Sequence, residues 1–491
     1  MAASVLSPIH RIQSAPLRRG AATPVLQGLI ALFLLLGLLR GVSMLVAQPL
    51  VALANNYDQV RYTACFGIFP VRPGVDPTSL NYRAPLEDYA FQEVPGTPCY
   101  LSSDLVFQAS ATTLYRWAET RSGVTSHSVR LLGGLRLLAW LLAVVLLSRA
   151  FWRERRGDYA LANAAWFAGL GMDPVNSIYL NTFYAESGVL YFAYLCIALA
   201  VLLSVRATAL RWCLLVLACI ALATSKLQHM LLPLFIAAAV AVPIVLRRHR
   251  YWAVLTALLI GGSIGVGLQL VQMQREHGLF AAVAVVNNTD LVLSALLPAS
   301  ADPAQTTARL GLGEACVAQS GKNIYKLDIA LELACPGAAG LSRLRVLGLF
   351  FSEPGTLLRM LARVPPRMLP WLPDYLGLVA ADDPMVEPIA LPEGFFSVNR
   401  WIGTRAWLCW CLILAPLPVM LLAVARRGAP TGLPVFAAAC AAVALSVPCV
   451  TVFGDGFTET AKQAHLALNA GCGVLLAIVV AGLARWRWPH A

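Results

Sequence analysis

The chain has 491 residues, of which 58% are hydrophobic and only 13% charged, with a formal net charge of +12. A soluble protein carries about 25% charged residues, and half that cannot solvate its surface. This excludes a soluble enzyme, a disordered chain and a collagen-like fibre, leaving an all-α integral membrane protein with many spans.

In chain order, apolar runs lie near 26–53, 130–151, 159–172, 187–205, 212–225, 230–246, 252–272, 403–425, 432–453 and 464–484. A bilayer core needs about 20 apolar residues in a helix, so about ten spans are expected, with the third and fifth short. Ala52-Leu53-Ala54 resembles a signal-cleavage site. The preceding apolar run is much longer than the roughly 7–15 residues of a signal h-region, so it reads as a span. The map is a cytoplasmic tail 1–25, spans 1–7 over 26–272, a large loop 273–402, and spans 8–10 with a short tail over 403–491.

Arginine marks every alternate connection: Arg11, Arg18, Arg19; Arg149, Arg153, Arg155, Arg156; Arg206, Arg211; Arg247, Arg248, Arg250; Arg426, Arg427; Arg485, Arg487. By the positive-inside rule those segments and both termini are cytoplasmic. Sixteen arginines against Glu154 and Asp158 place +14 there and leave the remainder at −2. The basic excess is therefore a topology signal, and no nucleic-acid partner is expected. Of the 37 basic residues only Lys226, Lys322, Lys326 and Lys462 are lysines, and all four fall on the outer side.

Two outer loops are large, 54–129 and 273–402. In the first, Ser102-Ser103-Asp104 offers caps for a half-apolar interfacial helix through Leu105, Val106, Ala109, Thr113, Leu114 and Trp117. In the second, short helices on the membrane are expected. Ser352-Glu353-Pro354 opens one over Gly355–Val364, which Pro365-Pro366 should stop, followed by an irregular Pro-rich stretch 365–392. Within the seventh span, Gly261-Gly262-Ser263-Ile264-Gly265 reads as a close helix-packing surface. Eight of the twelve cysteines fall in spans; Cys65, Cys99, Cys316 and Cys335 lie two per outer loop. An oxidising outer compartment allows Cys65–Cys99 and Cys316–Cys335 bridges, with cross-loop pairing and reduced thiols as the alternatives.

Polar residues gather at outer span ends in five groups. These are Asn55-Asn56-Tyr57-Asp58-Gln59-Val60-Arg61; Asp173 to Asn176 with Asn181, Tyr184 and Glu186; Ser225-Lys226-Leu227-Gln228-His229; Asn287 to Asp290 with Arg309; and Asp455-Gly456 with Glu459, Lys462 and His465. Polar residues collect at span ends simply because water is there, but five charged groups on one side point to chemistry. Lys226 stands out, since a compact ammonium suits a phosphate oxygen where arginine forms a planar fork. Asp58, beside Arg61 at the membrane boundary, suits a general base. Arg40, in mid-span, either snorkels, pairs with an interior acid, or marks a shifted first span.

Ala54-Asn55-Asn56-Tyr57-Asp58-Gln59-Val60-Arg61, closing on Phe66-Gly67, resembles the A-N-N-G-D-x-x-R segment of bacterial GT-C-type glycosyltransferases, the hexose transferases of cell-surface and S-layer glycan assembly. The likeness continues in order. Asn181-Thr182-Phe183-Tyr184-Ala185-Glu186 resembles N-S-F-Y-S-E, and Thr224-Ser225-Lys226-Leu227-Gln228 resembles T-A-K-P-Q. Leu296-Leu297-Pro298 with Asp302-Pro303 and Leu310-Gly311-Leu312 resembles L-P-x-S-x-D-P…L-G-L, and Gly454-Asp455-Gly456 with Glu459, His465 and Asn469 resembles the closing G-D-G element. Two departures are Tyr57 for a small glycine, which reshapes the acceptor entrance, and Leu227 for proline, which implies a less rigid turn.

The resemblance implies a sugar donor on polyprenyl phosphate, a glycan or glycolipid acceptor, and transfer at the outer face of the bacterial inner membrane, within the lipid bilayer. It makes Asp58 catalytic, and the mechanism takes Glu186 as the second carboxylate. Lys226, Gln228, Arg309 and Lys462 are then candidates for the donor phosphate. Asn56, Arg61, Tyr184, His229, Asp455, Glu459 and His465 are candidates for the substrate. No metal-ligand spacing is visible, since His229 and His465 stand far apart, so no cofactor is expected; related transferases differ in metal use. The rival readings are a lipid-linked glycan flippase and an O-antigen-type ligase or polymerase. A flippase should show internal repeats and mid-membrane polar groups; no repeat is visible, and the polar groups sit at span ends.

Overall fold

Long apolar stretches satisfy their backbone polar groups internally as helices, and the computed structural model is a helical bundle. It describes residues 22–53, 57–71, 85–246, 251–369, 371, 397–402, 405–426 and 429–487. The tail arginines Arg11, Arg18 and Arg19, the residues Asn55 and Asn56, Arg247 to Arg250, Arg427 and most of the Pro-rich stretch lie outside that set.

The helices are α1 (Ala22–Val46), α2 (Tyr57–Thr63), α3 (Leu105–Ser122), α4 (Arg130–Arg153), α5 (Gly157–Trp166), α6 (Pro174–Ser177), α7 (Glu186–Val205), α8 (Ala209–Ser225), α9 (Leu232–Leu246), α10 (Trp252–Arg275) and α11 (His277–Asp290). A run of short helices over 297–367 follows, then Ala406–Leu414, Pro416–Ala425, Leu433–Asp455 and His465–Arg487. In the first loop, strands Ile68–Pro70, Asp88–Phe91 and His127–Ser128 form a small antiparallel sheet with Phe69 opposite Ala90 and Tyr89 opposite His127.

Nine helices among the described residues are long and apolar enough to cross a membrane, so this is a multi-pass membrane protein. The set differs from the expected ten. The stretch 159–172 is broken into α5 and a π turn Phe167–Gly171, and α8 has only 17 residues. A run absent from the expectation, His277–Ala299, qualifies instead. Contacts show how this last run lies. Phe280 packs against the cluster of Tyr62, Tyr100 and Ala185, edge-on to the Tyr100 ring, and Asp290, ten residues on, stands against Gly456 at the end of the helix Leu433–Asp455. Ten residues of helix advance about 15 Å, yet both points touch the same end of the bundle. The helix therefore runs across that end rather than through the bundle.

Arginine ion pairs tie the connections at both ends. At one, Arg130 donates to the Ala47 carbonyl at 2.9 Å and pairs with Glu87. At the other, Arg211 and Arg206 meet Glu154, and Arg156 pairs with Asp158 and donates to the Thr431 carbonyl. The expected glycine surface packs α10 on α8: a methyl on Gly261 would stand 2.6 Å from both Cys219 Cβ and the Val216 carbonyl oxygen. With no hydrophobic drive between helices in lipid, such close approach is what holds spans together.

Two local expectations, the α3 cap and the proline stop, are corrected, and two open ones are resolved. Asp104 occupies the cap position of α3 but makes no cap bond; it turns inward to Arg136 and Gln108. Pro365 and Pro366 begin a further short helix, Val364–Arg367, after the one spanning Pro354–Ala362, because proline fits a first helical turn. Arg40 pairs with an interior acid, Asp173, at 3.2 Å and donates to the Ala168 carbonyl at 2.7 Å. Cys65 is bonded to Cys99 and Cys316 to Cys335, one bridge in each large loop.

Candidate active site

At the bundle end where α2, α7, α8 and the turn 456–464 meet, three cations face three carboxylates. Asp58, in the first turn of α2, accepts from Arg61 one turn later on Oδ1, and from Lys462 Nζ at 2.5 Å on Oδ2. Lys462 also meets Glu459 at 2.5 Å and lies 5.3 Å over the Tyr184 ring. Lys226 Nζ is 2.7 Å from Glu186 Oε1.

Local sequence explains the placement. Glu186 opens α7 and Lys226 closes α8, so each charge opposes the partial charge of its helix end. Lys226 leaves the helix with extended φ −156° and ψ 143°. A proline at 227 would enforce such backbone on its predecessor; Leu227 reaches it without one. The Cys65–Cys99 bridge ties the end of α2 to the segment entering α3, which limits how far Asp58 and Arg61 can drift.

The electrostatics follow from burial and charge. Burial pushes the Asp58 carboxyl up, but Arg61, Lys462 and Lys226 outweigh it and hold it below the usual carboxylate range. Burial favours a neutral Lys462, yet Asp58 and Glu459 reverse that and hold it well above the ordinary lysine range. Asp58 is thus a carboxylate and Lys462 an ammonium across the physiological range.

Around this core the candidates divide. Gln228 Nε2 donates to Thr451 Oγ1 at 2.7 Å and to the Gln463 carbonyl at 3.0 Å, tying the α8–α9 turn to the last turn. Gln463, which the sequence reading passed over, donates to Asp455 at 2.8 Å and orders that acid beside Glu459. His465 Nδ1 lies 2.8 Å from the Lys462 carbonyl, and His229 is buried nearby. Three polar atoms, the Tyr184 hydroxyl, Gln228 Oε1 and His465 Nε2, are buried without a partner among the described residues. Each such group costs about 1–3 kcal/mol, a penalty that a bound polar ligand relieves.

Arg309 belongs elsewhere: it meets Glu353 at 2.9 Å, a carboxylate that also accepts from Thr306 and Thr356. Among the described residues no hydrogen bond or ion pair links it to Lys226 or Lys462. Asp173 and Asn181 are structural too. Asp173 receives Arg40 and the Val398 amide, and Asn181 donates to the Met44 carbonyl. Asn56 lies outside the described residues, as does the Tyr57 side chain.

Gly456 carries φ 58° and ψ −135°, and a methyl there would collide with the Asp290 carbonyl and Ser294 Oγ. Gly456→Ala is expected to lower the thermal midpoint of the detergent-solubilised protein. The backbone strain alone corresponds to about 1–3 kcal/mol, and an unchanged midpoint refutes the assignment.

An apolar cavity of about 390 Å³ runs between α5, α7, Leu433–Asp455 and His465–Arg487, walled by Trp166, Tyr194 and Cys440. It extends from Arg426 at the far end to Leu190 and Leu466, within about a helical turn of Glu186 and Lys462. Ile478 and Gly482 of its wall are exposed on the bundle surface.

A family model described as the YfdI N-terminal transmembrane domain matches residues 17–337. No curated protein and no solved structure matches the chain.

Proposed function

The chain belongs to the family of the YfdI N-terminal transmembrane domain, one of GT-C-like glycosyltransferases, and from that premise we propose that it moves a hexose-type sugar from polyprenyl phosphate to a cell-envelope glycan or glycolipid. Transfer occurs at the outer face of the bacterial inner membrane, with both termini cytoplasmic. The observation that carries the reading is the cluster of half-buried Asp58, Glu459, Arg61 and Lys226 with buried Glu186 and Lys462 at one bundle end. The apolar cavity that ends beside it suits an isoprenoid chain.

In the reaction the acceptor hydroxyl oxygen bonds to the anomeric carbon as the carbon–oxygen bond to phosphate breaks. Asp58 takes the hydroxyl proton, and the polyprenyl phosphate departs with the electron pair, its charge met by Lys226. A single displacement inverts the anomeric centre. No cofactor enters these steps.

The test uses the purified full chain in liposomes with a polyprenyl-phosphate hexose and a lipid-linked glycan acceptor. A product heavier by one hexose, with inverted anomeric configuration, is expected. Movement of the lipid-linked sugar across the bilayer with no new glycosidic bond would establish a flippase instead.

A further inference from the structure

The three cations of the cluster differ in access. Arg61 and Lys226 keep 16% and 14% of their side chains exposed, whereas Lys462 keeps none. With every carboxylate already paired, an arriving anion must take a cation from one of them. Lys462 is the worst to move, since it would leave both Asp58 and Glu459 from a fully buried position. Arg61 is the best placed, because its guanidinium fork serves a carboxylate or a phosphate equally well. The two cations on Asp58 also hold different atoms, Arg61 on Oδ1 and Lys462 on Oδ2. Both oxygens of the base are therefore occupied in the resting site.

We propose that Arg61 is a donor-gated switch: the donor phosphate docks on Arg61 and Lys226, drawing Arg61 away and freeing Asp58 Oδ1 to accept the acceptor proton, while Lys462 stays on Oδ2. Lys462 is in this scheme a positioning residue. It fixes the carboxylate and keeps it ionised, and it does not touch the donor. The device prevents an unoccupied site from activating a stray hydroxyl or water. It rests on the glycosyl-transfer reading.

The charged and titratable groups around Asp58 come from several elements: Arg61 and Tyr62 of α2, Tyr184 and Glu186 at the start of α7, Lys226 after α8, Tyr325, and Glu459 and Lys462 of the last turn. A phosphodiester donor stays ionised through the working range, so it contributes no limb of its own. Withdrawing Arg61 and bringing an anion close both raise the Asp58 carboxyl. Its protonation then switches activity off at a higher pH in the complex than in the free protein.

The experiment is the pH dependence of transfer in liposomes for the full chain. The acid limb of kcat/KM reports the free protein and that of kcat the donor complex. In the wild type the kcat limb is expected to lie above the kcat/KM limb by roughly 1–3 pH units, the size of one displaced charge partner. In Arg61→Gln the gap narrows to the share contributed by the donor anion, because the free-protein limb rises, and the KM for donor increases. Arg61→Lys restores the gap in part, which a merely structural arginine would not show. Coincident limbs in the wild type, or a gap of undiminished width in Arg61→Gln, overturn the switch while leaving glycosyl transfer standing. Absence of wild-type transfer overturns the transfer reading and the switch together.

Discussion

Asp58→Asn is expected to lower sugar transfer by about 10²–10⁴-fold, the span that a positioned general base supplies, at equal expression and with no rise in the KM for donor. The substitution keeps shape and removes only the ability to hold a proton. Lys462 retains Glu459 at 2.5 Å, so the buried ammonium keeps one counter-ion and the last turn keeps its anchor. Removing a negative charge from beside the phosphate also favours donor binding, which separates lost chemistry from lost affinity. Wild-type-like transfer by Asp58→Asn would sink the base assignment. Glu186→Gln offers the contrast: it strips Lys226 of its partner and acts first on donor binding, so KM should move more than kcat.

The largest expected effect on stability comes from a pair that takes no part in the reaction. Arg136 and Asp104 are 1% and 0% exposed and stand 2.5 Å apart. The same guanidinium donates to the carbonyls of Tyr179, Leu180, Thr182 and Tyr184. Arg136→Met leaves a buried carboxylate uncompensated and takes the guanidinium from four carbonyls, of which Tyr179 keeps the Thr182 hydroxyl as donor. Removing one partner of a buried pair costs about 3–5 kcal/mol, so a large fall in the thermal midpoint or loss of folded protein is expected. Because the segment 179–184 leads directly into Glu186, transfer should fail with it. Arg136→Met combined with Asp104→Leu should recover part of the midpoint, since a neutral pair leaves no orphaned charge. A midpoint within a degree of wild type for the single variant would refute this account.

Hydropathy displayed the bundle well, because apolar length decides whether a helix can span. It decided less about α5, where ten residues and a π turn cover the expected third span. It passed over the long helical run His277–Ala299 within the second outer loop: Asn287-Asn288-Thr289-Asp290 interrupts the apolar pattern, although the polar residues face packed neighbours such as the Ala339 and Leu341 carbonyls. For the site, sequence named Asp58, Arg61, Glu186, Lys226, Glu459 and Lys462 and set Asp58 beside Arg61, but not the long-range pairs of Lys462 with Asp58 and of Lys226 with Glu186. Spacing tells which side of the membrane a residue occupies, not how its helix is rotated or which helix stands beside it. That is why Arg309 and Asp173 looked equivalent to Lys226 and Glu186 and are bound into structural contacts instead. Arg136 was legible by the argument applied to Arg40, a lone arginine within an apolar run. Gln463 carried no signal at all, because its role exists only once the α8–α9 turn and the last turn are side by side.

The ion pair between Asp58 and Lys462 joins residues 404 positions apart. During synthesis the first carboxylate reaches the membrane boundary long before its ammonium is made. At roughly 5–20 residues per second, that interval is tens of seconds. Until then the cations near the acid are Arg61 on its own helix and, once α8 is made, Lys226, and the inserted spans enclose an unfinished pocket. The last hairpin of the bundle therefore acts as the closing step of biogenesis, and a chain stalled before it carries spans without a working centre.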